Sequence, residues 1–459
     1  MIKYISPVVK SWGETSPQRF FLLTTAVFGL FFIFLTPPFQ IADEQAHAYR
    51  AWQVSQGIFY HGQMTGDIPV ALVGIAKKYG RIPFHKKEKT TAKELVDDIR
   101  FYPRINSNET ITIQCNAFPY SPVLYIFSAS GFWLAERADI SAVAAIYLAR
   151  IFNLIAWCVL IYIALRALPV FKEEITFLAL LPMALFQAGS LSADSVNNAL
   201  SFLAICSIFK VLVGGRLEMR DFVRASVATV LAAFCKQIGA LPVFLILFAR
   251  EKFPGRKQFF LYFGLTCFAV ALGGIWPLMN SLPAHPDLQN KDLMRELLAS
   301  WYTPLVILGK TIVFKLPQWT EQYFGYLGWL DCRLPKGIIL SYCLCLLVIL
   351  ITQCKTEKRI SLNLRLSALV LFLCFAIVQI FALYFLWPMG PANIIEGIQG
   401  RYFIPIMPLL LLVFSKKAGA ANAAMPMPSL AMLCFWPIIR SLTWVGLAVS
   451  CLRLWGRYF

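Results

Sequence analysis

Thr36-Pro37-Pro38-Phe39-Gln40-Ile41-Ala42-Asp43-Glu44-Gln45-Ala46-His47-Ala48-Tyr49-Arg50 follows directly on the first apolar run, Phe20 to Leu35. Proline has no amide donor and its ring clashes with the preceding turn, so Pro37-Pro38 must close a helix that starts near residue 20. Beyond it, Asp43, His47 and Arg50 stand at i, i+4 and i+7, one face of a short second helix. An acidic pair, a histidine and an arginine gathered at the mouth of a membrane helix point to chemistry on a lipid-borne substrate. The plainer alternative is that Asp43 and Glu44 only serve a helix N-terminus, where carboxylates favour the dipole. That account leaves His47 and Arg50 unexplained.

Composition places the rest of the chain in a membrane. Apolar residues make up 58% of the 459 and charged ones 14%, with a mean hydropathy of +0.65. Soluble domains are about a quarter charged. The net charge of +18 is scattered through short loops between apolar runs, which fits positive-inside topology and gives no basis for nucleic acid as a partner. The twelve cysteines show no C-x-x-C spacing. Most, such as Cys158, Cys206 and Cys374, lie in apolar runs as small core residues, while Cys115 and Cys332 fall in outer segments where they could pair. The first apolar run is too long for a secretory h-region and reads as a retained helix.

The predicted spans are 20–36, 142–165, 174–191, 195–213, 258–280, 337–353, 366–387 and 428–450, with shorter candidates at 225–236, 238–250 and 402–415. Lys3, Lys10 and Arg19 put the N-terminus in the cytoplasm, and three further basic clusters share that side: Lys210–Arg224, Arg250–Lys257 and Lys355–Arg365. Residues 120–135 are apolar but short. If they spanned, the Lys210–Arg224 cluster would face out, so they read as an interfacial helix inside one large outer region, 37–141. Residues 225–250 read as two half-helices joined near Lys236, a break that usually lines a cavity. The expected fold is all-α, a polytopic bundle of about 10–12 membrane helices. A transmembrane domain occupies 1–415, with 281–336 as a second outer-face region, and 416–459 forms a C-terminal linker and membrane segment.

Further ionisable groups join the acidic pair as candidates. Asp194 in Ser192-Ala193-Asp194-Ser195 is either an N-cap or a second carboxylate facing the same cavity. Lys236 and Arg150 lie within apolar sequence, where an unpaired cation is expensive, so each calls for an anionic partner. Arg401, in Gly397-Ile398-Gln399-Gly400-Arg401-Tyr402-Phe403, is an interfacial anchor or a bidentate phosphate ligand, and the two glycines would let a bulky ligand approach the backbone. Glu44-x-x-His47 looks like half of a dimetal motif whose other half is missing. A Walker loop, a dinucleotide fingerprint and a nucleophile elbow are absent from the sequence.

Pro37-Pro38-Phe39, Asp43-Glu44, His47, Arg50-Ala51 and Gly57 together resemble the opening signature of domain-of-unknown-function family 2142. These are bacterial membrane proteins placed in the GT-C glycosyltransferase superfamily. The likeness continues through Tyr120-Ser121-Pro122, Arg150-Ile151-Phe152-Asn153, Ser192-Ala193-Asp194, Lys236, Phe324 to Asp331 and Gly397 to Phe403. It implies a GT-C-like fold in the bacterial inner membrane, with the active site on its outer side. It also implies a polyprenyl-phosphate sugar donor and a glycan, lipid or protein acceptor among membrane lipids. The catalytic position falls on Asp43 and Glu44, with Asp43 the base. His47, Arg50, Arg150, Asp194, Lys236, Gln399 and Arg401 are the substrate-binding candidates. No metal ligands are assigned, although some enzymes of the superfamily use a divalent metal. The competing expectations are a lipid-linked sugar transporter or flippase, for which inverted repeats are lacking, and a noncatalytic polysaccharide-assembly protein.

Overall fold

A computed structural model describes residues 15–60, 63–105, 109–214, 218–253, 255–279, 300, 302–356, 360–386, 389–390, 394–417 and 429–459. Helix α1 (Pro17–Leu35) starts on a Ser16 cap with Pro17 in its first turn and stops at Thr36, ahead of the two prolines. Helix α2 (Glu44–Ser55) follows, and the chain then forms a small extramembrane unit. That unit contains strand β1 (Thr65–Pro69), helix α3 (Val70–Tyr79), helix α4 (Ala92–Phe101) and strand β2 (Thr110–Gln114). β1 and β2 pair antiparallel, with Thr65 opposite Gln114 and Pro69 opposite Thr110.

Helix α5 (Ile126–Arg137) is twelve residues long, about 18 Å at 1.5 Å per residue and too short to cross a bilayer. Its N-terminal end returns to α2, and its C-terminal end to α2 and to the segment after α4. Tyr125 meets His47, while Glu136 accepts from Gln56 and Asp139 pairs with Arg104.

Among the described residues, seven helices are long and apolar enough to cross a membrane: α1, α6 (Ala142–Ala167), α9 (Ala193–Val213), α11 (Arg256–Met279), α13 (Lys336–Val348, extended by a π turn to Gln353), α14 (Leu362–Leu386) and α16 (Ser429–Tyr458). None of the remaining described stretches meets that measure. The expected span 174–191 is two helices, α7 (Lys172–Ala179) and α8 (Pro182–Ala188), because Pro182 forces Leu181 out of helical geometry. Helix α10 (Met219–Cys235) ends at an extended Lys236, and a 3-10 segment, Gln237–Lys252, runs back, so the break at Lys236 lies where the sequence placed it. Helix α12 (Thr303–Gly325) occupies much of the predicted outer region 281–336, of which 281–299 and 301 lie outside the described residues. A short hairpin, Tyr326–Leu327 against Cys332–Arg333, follows it. A 3-10 turn, Gly400–Ile406, leads into α15 (Leu409–Val413). The linker 418–428 lies outside the described residues.

End contacts fix the path. One end gathers Glu44 with Leu191, Asp194 with Lys236, Pro119 with Trp276, Asp43 with Arg401 and Gln40 with Tyr458. The opposite end gathers Gln18 with Leu165, Gly214 with Lys252, Cys354 with Lys416, Arg365 with Val413 and Arg440 with Thr15 and Glu173. The chain enters α1 at the Arg440 end and finishes α16 at the Asp43 end. Helix α16 therefore completes the bundle, through Trp444 on Thr24 and Phe28, and reaches Tyr458 rather than stopping near residue 450. Helix α9 is the central element, with 83% of its apolar stretch buried against 17% for α11 and α14. Cys115 and Cys332 are separate free thiols, so the outer pairing does not form.

Candidate functional site

The Pro37-Pro38 turn leaves the last carbonyls of α1 without helical partners. Arg150, fully buried on α6, meets them: Nη1 donates to the Ile33 and Thr36 carbonyls at 3.2 and 2.6 Å, and Nη2 to Pro37 at 3.0 Å. The same guanidinium grips Glu44 with two parallel bonds, Nε to Oε1 at 2.8 Å and Nη2 to Oε2 at 2.6 Å. Glu44 also accepts from the backbone of Phe39 and Leu191, each at 3.1 Å. A cation thus sits at the C-terminus of α1 and an anion in the first turn of α2, both favourable to the helix dipoles. The pair is completely enclosed and its hydrogen-bonding capacity is spent on the scaffold. The structure therefore corrects two expectations. Glu44 is not presented to a substrate, and Arg150 is a clamp between helix ends.

Arg50 is also removed from the substrate-binding set. It is fully buried and donates to the carbonyls of Tyr120, Ile58 and Phe59 and to Gln53 Oε1, closing the loop after α2. The half dimetal motif dissolves with it, because Glu44 turns to Arg150 while His47 turns to Tyr125, Nδ1 to hydroxyl 2.7 Å.

Asp43 behaves differently. Its backbone is left-handed (φ 64°, ψ 2°), its side chain caps nothing, and the carboxylate is 52% exposed. Aspartate is one of the few residues besides glycine that adopt this conformation readily, and here it turns the carboxylate outward. Its oxygen Oδ2 accepts from Arg401 Nη2 at 2.9 Å, joining residues 358 apart in sequence. Arg401, only 3% exposed, also lies 3.7 Å from Asp194 through Nε. Asp194 stands in the first turn of α9, where the cap is Ser192, whose Oγ accepts from the Asp194 amide at 3.2 Å. The Asp194 carboxylate is thereby left to accept from Lys236 Nζ at 2.8 Å, and Lys236 can reach it because the chain is extended at that joint. Two carboxylates and two cations, from four separate segments, form one chain: Asp43, Arg401, Asp194, Lys236.

Tyr402 presents its ring to both cations, 5.5 Å from Lys236 Nζ and 5.4 Å from the Arg401 guanidinium. Tyr120 packs edge-on to His47, with ring centroids 5.7 Å apart. Burial pushes the His47 imidazole down to about 4, against the pull of Asp43 and Asp194, so it is neutral at physiological pH. Gln399 Oε1 is buried without a hydrogen-bond partner two residues before Arg401. Gly400 serves packing instead of ligand approach, since a Cβ there would strike the Trp319 carbonyl on α12.

The donor set does not suit a divalent metal. Each carboxylate already faces a cation, and among the described residues no three His, Cys, Asp or Glu side chains converge as ligands. The arrangement offers instead a half-exposed carboxylate next to a buried guanidinium and a partly exposed ammonium, at one end of the bundle. Sequence reasoning missed Tyr125 and Tyr402. Tyr402 was legible as the neighbour of Arg401, whereas nothing local marks Tyr125 as the partner of His47.

The family model described as "Predicted membrane protein (DUF2142)" matches residues 26–410, and the chain belongs to that family. No curated protein matches the chain, and no solved structure does.

Proposed function

We propose that this member of the predicted membrane protein family is a glycosyltransferase of GT-C type, moving a sugar from a polyprenyl-phosphate donor to an envelope acceptor at the outer membrane face. The observation that carries the reading is the half-exposed Asp43 carboxylate held against Arg401, itself buried beside Asp194 and Lys236. In the reaction the acceptor hydroxyl oxygen bonds to the anomeric carbon as Asp43 takes its proton. The bond from that carbon to the phosphate oxygen breaks, and its electron pair stays on the departing lipid phosphate. Fixed cations lower the energy of that growing charge, and Arg401, buried, and Lys236, partly exposed beside Asp194, are the two held near Asp43 to do so. A donor phosphate arriving at Arg401 competes with Asp43 for the guanidinium. Binding of donor therefore releases the carboxylate for its work as base.

The outer placement of the site rests on charge. Arg19, Lys210, Arg224, Lys252, Arg365 and Lys416 all belong to the end opposite Asp43, which positive-inside order assigns to the cytoplasm.

Asp43→Asn and Arg401→Lys test the reading together. Asparagine tolerates the left-handed backbone but cannot accept a proton, so transfer should fall by roughly two or more orders of magnitude while lipid-phosphate binding survives. Lysine keeps the charge of Arg401 and loses its planar fork, so donor binding should weaken first. Full transfer activity in Asp43→Asn would refute the assignment. Binding without transfer in the unaltered protein would favour a transporter or an assembly partner.

A further inference from the structure

Below Asp194 the central helix carries a polar stripe that neither packing nor the proposed base chemistry uses. Asp194, Asn197, Asn198 and Ser201 recur at spacings of three and four, so they share one face of α9. Ser201 lies roughly 10 Å deeper than Asp194 at 1.5 Å per residue. Asn197, Asn198 and Ser201 are 3%, 1% and 2% exposed, and Asn197 Oδ1, Asn198 Nδ2 and Ser201 Oγ have no hydrogen-bond partner in the protein. An unmet buried polar group costs about 1–3 kcal/mol, so three on one face of the most enclosed helix call for an occupant. Gln379 of α14, Tyr402 and Gly239 close the cleft from the other side, and Lys236 stands at its mouth with Asp194. The cleft is about 10 Å³, room for one water molecule or for one hydroxyl group in its place.

We infer that this cleft is a specificity pocket that takes one hydroxyl of the transferred sugar, read by Asn197, Asn198 and Ser201 while the donor phosphate rests on Lys236 and Arg401. The inference rests on the proposed function and adds to it the feature that selects the sugar. A hydroxyl suits the unmet atoms, because it donates to Asn197 Oδ1, accepts from Asn198 Nδ2 and exchanges either role with Ser201 Oγ. Sites built around a substrate hydroxyl discriminate strongly, because a sugar lacking it leaves their buried polar atoms unpaired.

Two substitutions test this without threatening the fold. Ser201→Ala removes a hydroxyl that has no protein partner. Gly239→Ala places a methyl 3.5 Å from Ser201 Oγ, an ordinary contact that narrows the cleft. The probes are a short-chain polyprenyl phosphate, bare and carrying each of a panel of hexoses, pentoses and their deoxy forms, with affinity measured on detergent-purified full-length protein. The unaltered protein should bind at least one sugar-bearing lipid more tightly than the bare one, and lose that preference for one deoxy form. Both variants should cut the preference roughly tenfold, one hydrogen bond's worth, with affinity for the bare lipid unchanged and thermal stability not lowered; Ser201→Ala, which removes an unmet buried hydroxyl, should hold or raise it. The inference is overturned if the variants keep the preference, or if bare and sugar-bearing lipids weaken equally. An unaltered protein that binds lipid phosphate without regard to sugar overturns it while the phosphate reading stands. One that binds no lipid phosphate overturns both.

Discussion

Replacing Glu44 by glutamine separates scaffold from catalysis more cleanly than any other single change. The carboxylate accepts four hydrogen bonds, two from the Arg150 guanidinium and two from backbone amides, and neither partner of the ion pair is exposed at all. Glutamine keeps the shape but removes the charge and turns one acceptor into a donor, facing either Arg150 or a backbone N–H. Arg150 is then a buried cation with no anion beside it, held only by neutral groups, among them three backbone carbonyls and the Tyr147 ring. Breaking an enclosed pair from one side costs about 3–5 kcal/mol, and that is the expected loss of stability. Asp43→Asn is the contrast. Its carboxylate is half exposed, and Arg401 retains Asp194, so a loss under about 1 kcal/mol is expected. Equilibrium unfolding in mixed micelles, with both variants run beside the unaltered protein, reads the difference. If Glu44→Gln unfolds like the unaltered protein but fails to transfer sugar, the clamp argument is wrong and Glu44 belongs with the chemistry.

Arg457→Met should lower stability by about 3–5 kcal/mol, because Asp331 would lose a buried partner bonded at 2.7 and 3.0 Å; the same unfolding assay reads it. His47 contributes a pH dependence. Its imidazole titrates near 6.5 when unfolded and about 4 when folded, so the unfolded chain binds the extra proton between those values. Stability is therefore intact above about 6.5 and declines toward about 4, by some 3 kcal/mol in all, and His47→Gln should flatten that slope. A cysteine placed at exposed Lys87 should react with an impermeant thiol reagent in intact spheroplasts. Labelling only after lysis would put the Asp43 end in the cytoplasm.

Much of the bundle was legible because its signals are local. Pro37-Pro38 stops α1, Lys236 marks the break before the 3-10 segment, and the length of Ile126–Arg137 forbids a crossing. The division of charged residues between scaffold and site was not. Glu44 and Asp43 are adjacent and chemically alike, yet the left-handed backbone at Asp43 turns one carboxylate outward while Glu44 starts α2 facing inward toward α6. Only the packing of α1 against α6 decides that Arg150 meets Glu44 instead of a ligand. The role of α16 was hidden for the same reason. Tyr458 donates to the Gln40 carbonyl, and Trp329 to that of Phe39, so the distant C-terminal helix and the hairpin after α12 both brace the turn that carries Asp43. No spacing rule links residues some four hundred positions apart. The spacing of Asn197, Asn198 and Ser201 puts them on one helical face, but only the structure places their unmet atoms in one cleft.

The central claim, that a lipid phosphate is handled between Asp43 and the cations Arg401 and Lys236, is tested most directly by a density map of the protein in nanodiscs with a short-chain polyprenyl phosphate. The account predicts phosphate density within hydrogen-bond reach of the Arg401 guanidinium and Lys236, with the Asp43 carboxylate released from its 2.9 Å contact. Phosphate bound elsewhere, or an intact Asp43–Arg401 pair beside an occupied lipid site, would contradict it.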